Sequence, residues 1–227
     1  MTASASTRPV FVLDVDNTLL DNDALKADID HRLRALVGDA AAARFWQIYE
    51  DVRMASDVVN YPLALEVFAD ELSDAELARK LHELVMDDDF ARYVYTDTFP
   101  TLAHLRTLGL PVIVSDGDSV YQPLKIERSG LAAAVNGEVL VFIHKQAHLE
   151  EVMARWPSDL YVMVDDKAHI LAETKRRFPD RFVTIHVRQG HYGQDPQRYS
   201  PAPDIEVHRI GDLRTLTLDE LTRHRGR

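Results

Sequence analysis

The chain has 227 residues, with 26 lysines and arginines against 37 aspartates and glutamates, a formal net charge of −11. That length suits one domain with an insertion or two small domains, and the acid excess argues against a general nucleic-acid coat. The absence of cysteine excludes a disulfide framework, a thiolate metal site and a cysteine nucleophile, and fits a reducing, cytoplasmic compartment.

Residues 1–9 have no apolar stretch and read as a short tail rather than a signal peptide. The first compact apolar run is Val10-Phe11-Val12-Leu13, broken by Asp14. Similar runs follow at Pro111–Val114, Val139–Ile143, Leu160–Val164 and Phe182–Val187. All are far shorter than the roughly 18 residues of a membrane span. Their length and β-branched content favour strands buried on both faces, as in a parallel sheet. Helical patterns lie between them. Phe99–Leu108 precedes the second run, Leu149, Val152, Met153 and Trp156 share a face before the fourth, and Ile170, Leu171, Thr174 and Phe178 do so before the fifth. Strand alternating with helix predicts an α/β fold with a Rossmann-like parallel sheet.

Residues 23–95 break that rhythm. Leu25, Ile29, Leu33 and Leu36 form one helical stripe, with Gly38 as its stop. Phe45, Ile48, Tyr49 and Val52 form a second, and Leu65, Phe68 and Leu72, opened by Pro62, form a third. Ser73 with Glu76 reads as a capping box for a fourth, which carries Leu77, Leu81, Leu84 and Val85. The expected organisation is therefore a core of residues 1–22 and 96–227 with a helical cap at 23–95. The two connections, near Leu20–Asp23 and Thr96–Phe99, would act as a hinge.

The chemistry-bearing residues follow the strands. Asp14-Val15-Asp16-Asn17-Thr18 closes the first run, where open α/β sheets bind ligands. One carboxylate can attack while the other moves a proton, and a bound cation would offset their repulsion. Ser115-Asp116-Gly117 closes the second run; a hydroxyl beside turn N–H groups there suits a phosphate oxygen. Lys145 follows the third run and Asp165-Asp166 closes the fourth. Paired acids at a strand end need a compensating charge, and with Asp14 they offer an all-oxygen site suited to Mg²⁺.

Taken in order, these segments resemble the four motifs of the haloacid dehalogenase-like hydrolases, over most of the chain. Motif I resembles Asp14–Thr18, motif II Ser115 after Val112-Ile113-Val114, motif III Lys145 and motif IV Asp165-Asp166. Gln122, Lys125, Ile126, Gly130 and Leu131 also resemble a segment that follows motif II, and the helical insertion resembles a C1-type cap. The resemblance implies Asp14 as nucleophile, Asp16 as general acid and base, and Lys145 as the neutralising cation. It implies Thr18, Ser115 and Asp116 as phosphate-binding positions. It implies Mg²⁺ held by Asp14, the main-chain carbonyl of Asp16 and the motif IV pair, with Asp166 favoured over Asp165 as direct ligand.

Family dehalogenases lack the second motif I acid, because halide leaves without a proton. The presence of Asp16 therefore favours Mg²⁺-dependent hydrolysis of a small phosphorylated metabolite, with no nucleic-acid or membrane partner. A phosphomutase or 2-haloacid dehalogenase of the same superfamily stays open. So does a phospho-acceptor signalling module or a silent binding protein, although the Asp-x-Asp order and the insertion argue against both. His144 and His148 read as surface or core histidines, Asp87-Asp88-Asp89 as a solvated helix end, and Trp46 and Tyr49 as helix-stripe aromatics. Arg188, Gln189 and His191 lie toward the active edge, and Arg53, Asn60 and Tyr61 are candidates for substrate selection in the cap.

Overall fold

The computed structural model describes residues 8–56, 60–195 and 197–226. Six strands form one parallel sheet: β1 (Val10–Leu13), β2 (Leu110–Asp116), β3 (Val139–Phe142), β4 (Tyr161–Asp165), β5 (Phe182–Val187) and β6 (Ile205–Val207). Their order is β3-β2-β1-β4-β5-β6, with Val12 of β1 in register with Val112 of β2 and Met163 of β4. The order reverses beside β1, so the crevice at the carboxyl ends of β1, β2 and β4 is the place such sheets keep for ligands.

The period of two decides the layers. Phe11 and Leu13 face one apolar core, with Leu102, Leu105, Ile126 and Leu131. Val10 and Val12 face a second, with Leu149, Val152, Ile170 and Leu171. Continuous apolar runs are what two covered faces require, and β1, β4 and β5 are buried throughout. At one edge of the sheet β3 is half-buried. At the other, β6 is a sixth strand the sequence reading missed: it has three residues and its centre, Glu206, is exposed.

Helices α1 (Asn22–Val37), α2 (Asp39–Ser56), α3 (Tyr61–Leu72) and α4 (Ala75–Met86) lie between β1 and β2, with α1 starting one residue before position 23. The remaining helices are α5 (Thr98–Leu108), α6 (Tyr121–Arg128), α7 (Leu131–Ala134), α8 (Leu149–Arg155), α9 (Ala168–Arg177), α10 (Gly190–Gly193) and α11 (Leu218–His224). All four cap stripes are buried in part, through Leu25, Ile29 and Leu33, Phe45 and Ile48, Leu65 and Phe68, and Leu81 and Val85. The expected Ser73 capping box does not form. Ser73 ends α3 in a left-handed conformation (φ 54°), and Asp74 caps α4 by accepting the Glu76 and Leu77 N–H groups. Aspartate one residue later fits the cap position better than serine held at positive φ.

The two cap connections run side by side. Asp21 N–H donates to the Tyr93 carbonyl at 2.7 Å and Tyr95 N–H to the Leu19 carbonyl at 3.1 Å. The cap interior is also continuous with one sheet core. The Tyr61 ring of α3 packs 4.6 Å from Tyr121 of α6, and Phe90 lies 5.7 Å from the same ring.

Candidate active site

Asp14 leaves the end of β1 with its main-chain N–H donating to the Val164 carbonyl at 3.0 Å. It therefore stands beside the end of β4, where Asp165 and Asp166 emerge. All three carboxylates are buried, and each offers an oxygen within 4.8 Å of the others. Lys145, fully buried, ion-pairs with Asp14 Oδ1 and, at 2.7 Å, with Asp165 Oδ2. Burial alone would lower the Lys145 ammonium's proton affinity, but Asp14 and Asp165 outweigh it and raise the pKa.

The two motif IV acids are not equivalent. Asp165 meets Lys145 through one oxygen, and through the other accepts the Lys167 N–H at 2.8 Å. Both Asp166 oxygens are buried and without partners, as is Asp14 Oδ2. Burial, then the Asp165 and Asp14 charges, push the Asp166 carboxyl up to about 9. Burial, partly offset by Lys145, pushes Asp14 up to about 6. Three orphaned carboxylate oxygens around one point are the donor set of a hard divalent cation. The residues fit Mg²⁺, with Asp14 and Asp166 supplying the free oxygens and Asp165 fixing Lys145.

Asp16 lies outside that carboxylate cluster. Its side chain is 26% exposed and pairs with the buried Lys125 Nζ at 2.5 Å. Gln122 Nε2 lies 3.5 Å from the other Asp16 oxygen and donates to Ser115 Oγ at 2.8 Å. The Asp16 side chain is thus aimed away from the metal position, and any share it takes there falls to its main chain. Thr18 Oγ1 is buried without a partner. The Asp116 carboxylate accepts the Lys145 N–H at 2.7 Å. That side chain positions the lysine turn, and Asp116 also lines the cavity over the site.

Glycine permits two close approaches. Gly190 has φ +60° and packs where any Cβ would strike the Asn17 side chain. A Cβ on Gly117 would strike Gln122. Gln189, next to Gly190, donates to the Asn17 and Thr18 carbonyls at 3.3 Å each, and its Oε1 accepts the Ile210 N–H at 2.5 Å. It braces the loop that carries Thr18. His191 pairs with Asp23 of α1 at 2.6 Å, and Arg188 faces Glu206 at 3.5 Å, away from the acids.

A cavity of about 480 Å³ opens over these groups, lined by Asp16, Asp116 and Asp166 from below and by Lys26, Tyr49 and Arg53 from the helices above. Tyr61 joins that lining, but Asn60 does not: its side chain caps α3 by accepting the Leu63 N–H at 2.9 Å. Trp46 also stays outside, its indole N–H donating to Asp30 at 2.6 Å. Of the discounted acids, Asp88 is buried and paired with Arg32, whereas Asp87 pairs with Arg128 at 2.8 Å. His148 stacks on Phe142 at 4.5 Å and pairs with Glu151. Lys167 is the residue that sequence reasoning missed; Lys125 was singled out there only by resemblance, without its pairing to Asp16. Lys167 also lines the cavity, and its pKa is raised because Asp14, Asp165 and Asp166 outweigh its burial. A lysine directly after the motif IV acids was the available signal.

No family model and no curated protein matches the sequence. Solved structures do. A haloacid dehalogenase-like hydrolase, so described, from Burkholderia xenovorans LB400 is 41% identical over 93% of this chain and 99% of its own, with a TM-score of 0.85. The HAD-hydrolase YfnB of Bacillus subtilis, solved bound to magnesium, is 17% identical over 92% and 97%, TM-score 0.60. The L-2-haloacid dehalogenase of Xanthobacter autotrophicus is 18% identical over 92% and 97%, TM-score 0.59. The latter two share the fold. With the four strand-end motifs in place and a relative matched along nearly its whole length, the chain belongs to the haloacid dehalogenase-like hydrolases.

Proposed function

We propose that the protein hydrolyses a small phosphate monoester through an aspartyl-phosphate on Asp14. The observation that carries this reading is Asp16. A second carboxylate lines the cavity, held by Lys125 and Gln122 two residues from the nucleophile. An alkoxide leaving group needs a proton, and a halide does not.

In this reading Asp14 attacks phosphorus and the bond to the alcohol oxygen breaks, with the Asp16 proton passing to that oxygen. Water then attacks the phosphoryl group, Asp16 takes its proton, and the bond to Asp14 breaks to release phosphate. Lys145 fixes Asp14 and offsets charge, while Thr18 and Ser115 supply hydroxyls to the phosphoryl oxygens. Bound Mg²⁺, held by Asp14, Asp166 and the Asp16 main chain, would supply electrostatic stabilisation of phosphoryl charge. Lys125 and Gln122 keep Asp16 turned to the cavity, so its proton stays on the leaving-group side. The cap roofs the site, which suits a small molecule and disfavours a phosphoprotein.

The experiment is turnover of p-nitrophenyl phosphate and small alkyl phosphates beside 2-chloropropionate, with Mg²⁺ and with EDTA. Phosphate release that needs Mg²⁺ supports the reading. Chloride release without phosphate release overturns it.

A further inference from the structure

Lys26 of α1 is a cation without an acid of its own. Its side chain is half-buried and lines the cavity, opposite the core carboxylates. Among the described residues its ammonium makes no hydrogen bond or ion pair; its recorded neighbours are two ring faces, Tyr49 at 4.9 Å and Trp46 at 5.7 Å. Ring faces attract the charge but accept none of its three N–H donors well.

Each acid near Lys26 has a closer partner. Glu50 pairs with Arg53 at 2.7 Å. Asp23 is held by Asn17 and His191, at 3.1 and 2.6 Å. Asp16 belongs to Lys125 at 2.5 Å. Burial lowers the Lys26 pKa, and the Glu50, Asp23 and Asp16 charges offset it only in part.

Two further tyrosines share this wall. The Tyr61 and Tyr121 side chains are buried, at 4% and 2% residue exposure; the Tyr61 hydroxyl meets that of Tyr49, and the Tyr121 hydroxyl has no partner among the described residues. Both side chains line the cavity. A half-buried ammonium with only ring faces beside it favours a ligand rich in acceptor oxygens.

We propose that Lys26, held over the Tyr49 and Trp46 rings, receives a carboxylate at the far end of the substrate's alcohol portion, making the substrate class an ω-carboxyalkyl phosphate. This rests on the phosphatase reading for its phosphate end. The carboxylate end rests on the cap wall. A carboxylate offers the acceptor lone pairs that the ammonium's three donors lack here, in a charge-assisted hydrogen bond.

The test is calorimetric binding of unreactive phosphonates to the Mg²⁺-supplied protein, which needs no turnover. The probes are 3-phosphonopropionate and 5-phosphonopentanoate, each against the alkylphosphonate of equal chain length. We expect one carboxylated member to bind about tenfold or more tightly than its alkyl partner, the worth of one charge-assisted hydrogen bond. Lys26→Met keeps the length and apolar stem and should collapse that ratio to near one, while Lys26→Arg should retain much of it. Lys26→Gln serves if the Met variant fails to fold. Equal binding of the two series, binding of neither, or a preference that survives Lys26→Met would overturn the assignment. Turnover of p-nitrophenyl phosphate is scored separately. Its absence would sink the phosphatase reading, whereas turnover with no carboxylate preference would sink this one alone.

Discussion

Replacing Asp166 by Asn should stabilise the metal-free protein while removing its response to Mg²⁺. Asp166 is fully buried and neither oxygen has a partner. Burial and the neighbouring Asp165 and Asp14 charges push its carboxyl from 3.8 up to about 9. A folded pKa raised above the unfolded one leaves its stabilising contribution intact below pH 4. That contribution is lost as pH rises through 9, because the unfolded chain gives up the proton first. At pH 8 the gap of about four pH units corresponds to an upper limit of about 6 kcal/mol, at about 1.4 kcal/mol per unit. Relaxation and water entry reduce such figures, so a gain of about 1–3 kcal/mol is the expected scale. For a chain of this size that raises Tm by about 3–10 °C. The assay is thermal melting of wild type and Asp166→Asn in EDTA from pH 4 to 9, repeated with excess Mg²⁺. Without metal the two curves should meet near pH 4 and diverge toward pH 9. With Mg²⁺ the wild type should recover and the variant should not. A variant no more stable than wild type at pH 8 in EDTA would refute the claim that Asp166 is an uncompensated buried acid. A variant that gains as much from Mg²⁺ as the wild type would refute its place in the cation site.

Asp14→Asn, nearly isosteric, should abolish turnover with an unchanged circular dichroism spectrum; turnover by the folded variant would remove Asp14 as nucleophile. Asp16→Asn should slow alkyl phosphate hydrolysis by about 10²–10⁴-fold and p-nitrophenyl phosphate much less, because p-nitrophenolate leaves without a proton. Equal losses on both substrates would count against the acid role. Lys125→Met should lower kcat for alkyl phosphates more than for the aryl ester, since Asp16 loses its closest hydrogen-bonding partner, at 2.5 Å; a parallel fall in both would make Lys125 a structural residue only. EDTA should stop phosphate release, with Mg²⁺ restoring it and Ca²⁺ doing so poorly, because the larger ion takes a looser shell. Full activity in EDTA would exclude the metal-assisted scheme.

Much of the core was legible because its signals are local. Val10–Leu13 and Leu160–Val164 are apolar at every position, and only a strand covered on both faces accommodates that. The polar residues that interrupt such runs, Asp14, Ser115 and Asp165, sit at strand ends for the same reason, so chain order alone laid out the site. The stripes of α1 to α4 were legible from a period near 3.6. Strand β6 was not. Three residues around Glu206 carry no alternation, and pairing with Val187 and its neighbours in β5 is what makes them a strand. Ser73 could not be told from Asp74 as a cap, because the choice depended on where α3 ended.

The division of labour among the acids was decided in three dimensions. Sequence favoured Asp166 over Asp165 only by resemblance. The fold turns Asp165 to Lys145 and the Lys167 N–H, and leaves both Asp166 oxygens unpartnered. Asp116 looks equivalent to Ser115 in a turn, yet its carboxylate holds the Lys145 N–H, 29 residues away in sequence. Lys125 meets Asp16 across 109 residues, and Lys26 stands opposite both on a separate helix. A lysine in isolation reads as a solvated surface charge. Burial, the distance to each acid and the choice of partner are properties of the packed chain. Local composition brought the reactive groups to one end of the sheet, and tertiary contact alone determined which of their charges were neutralised.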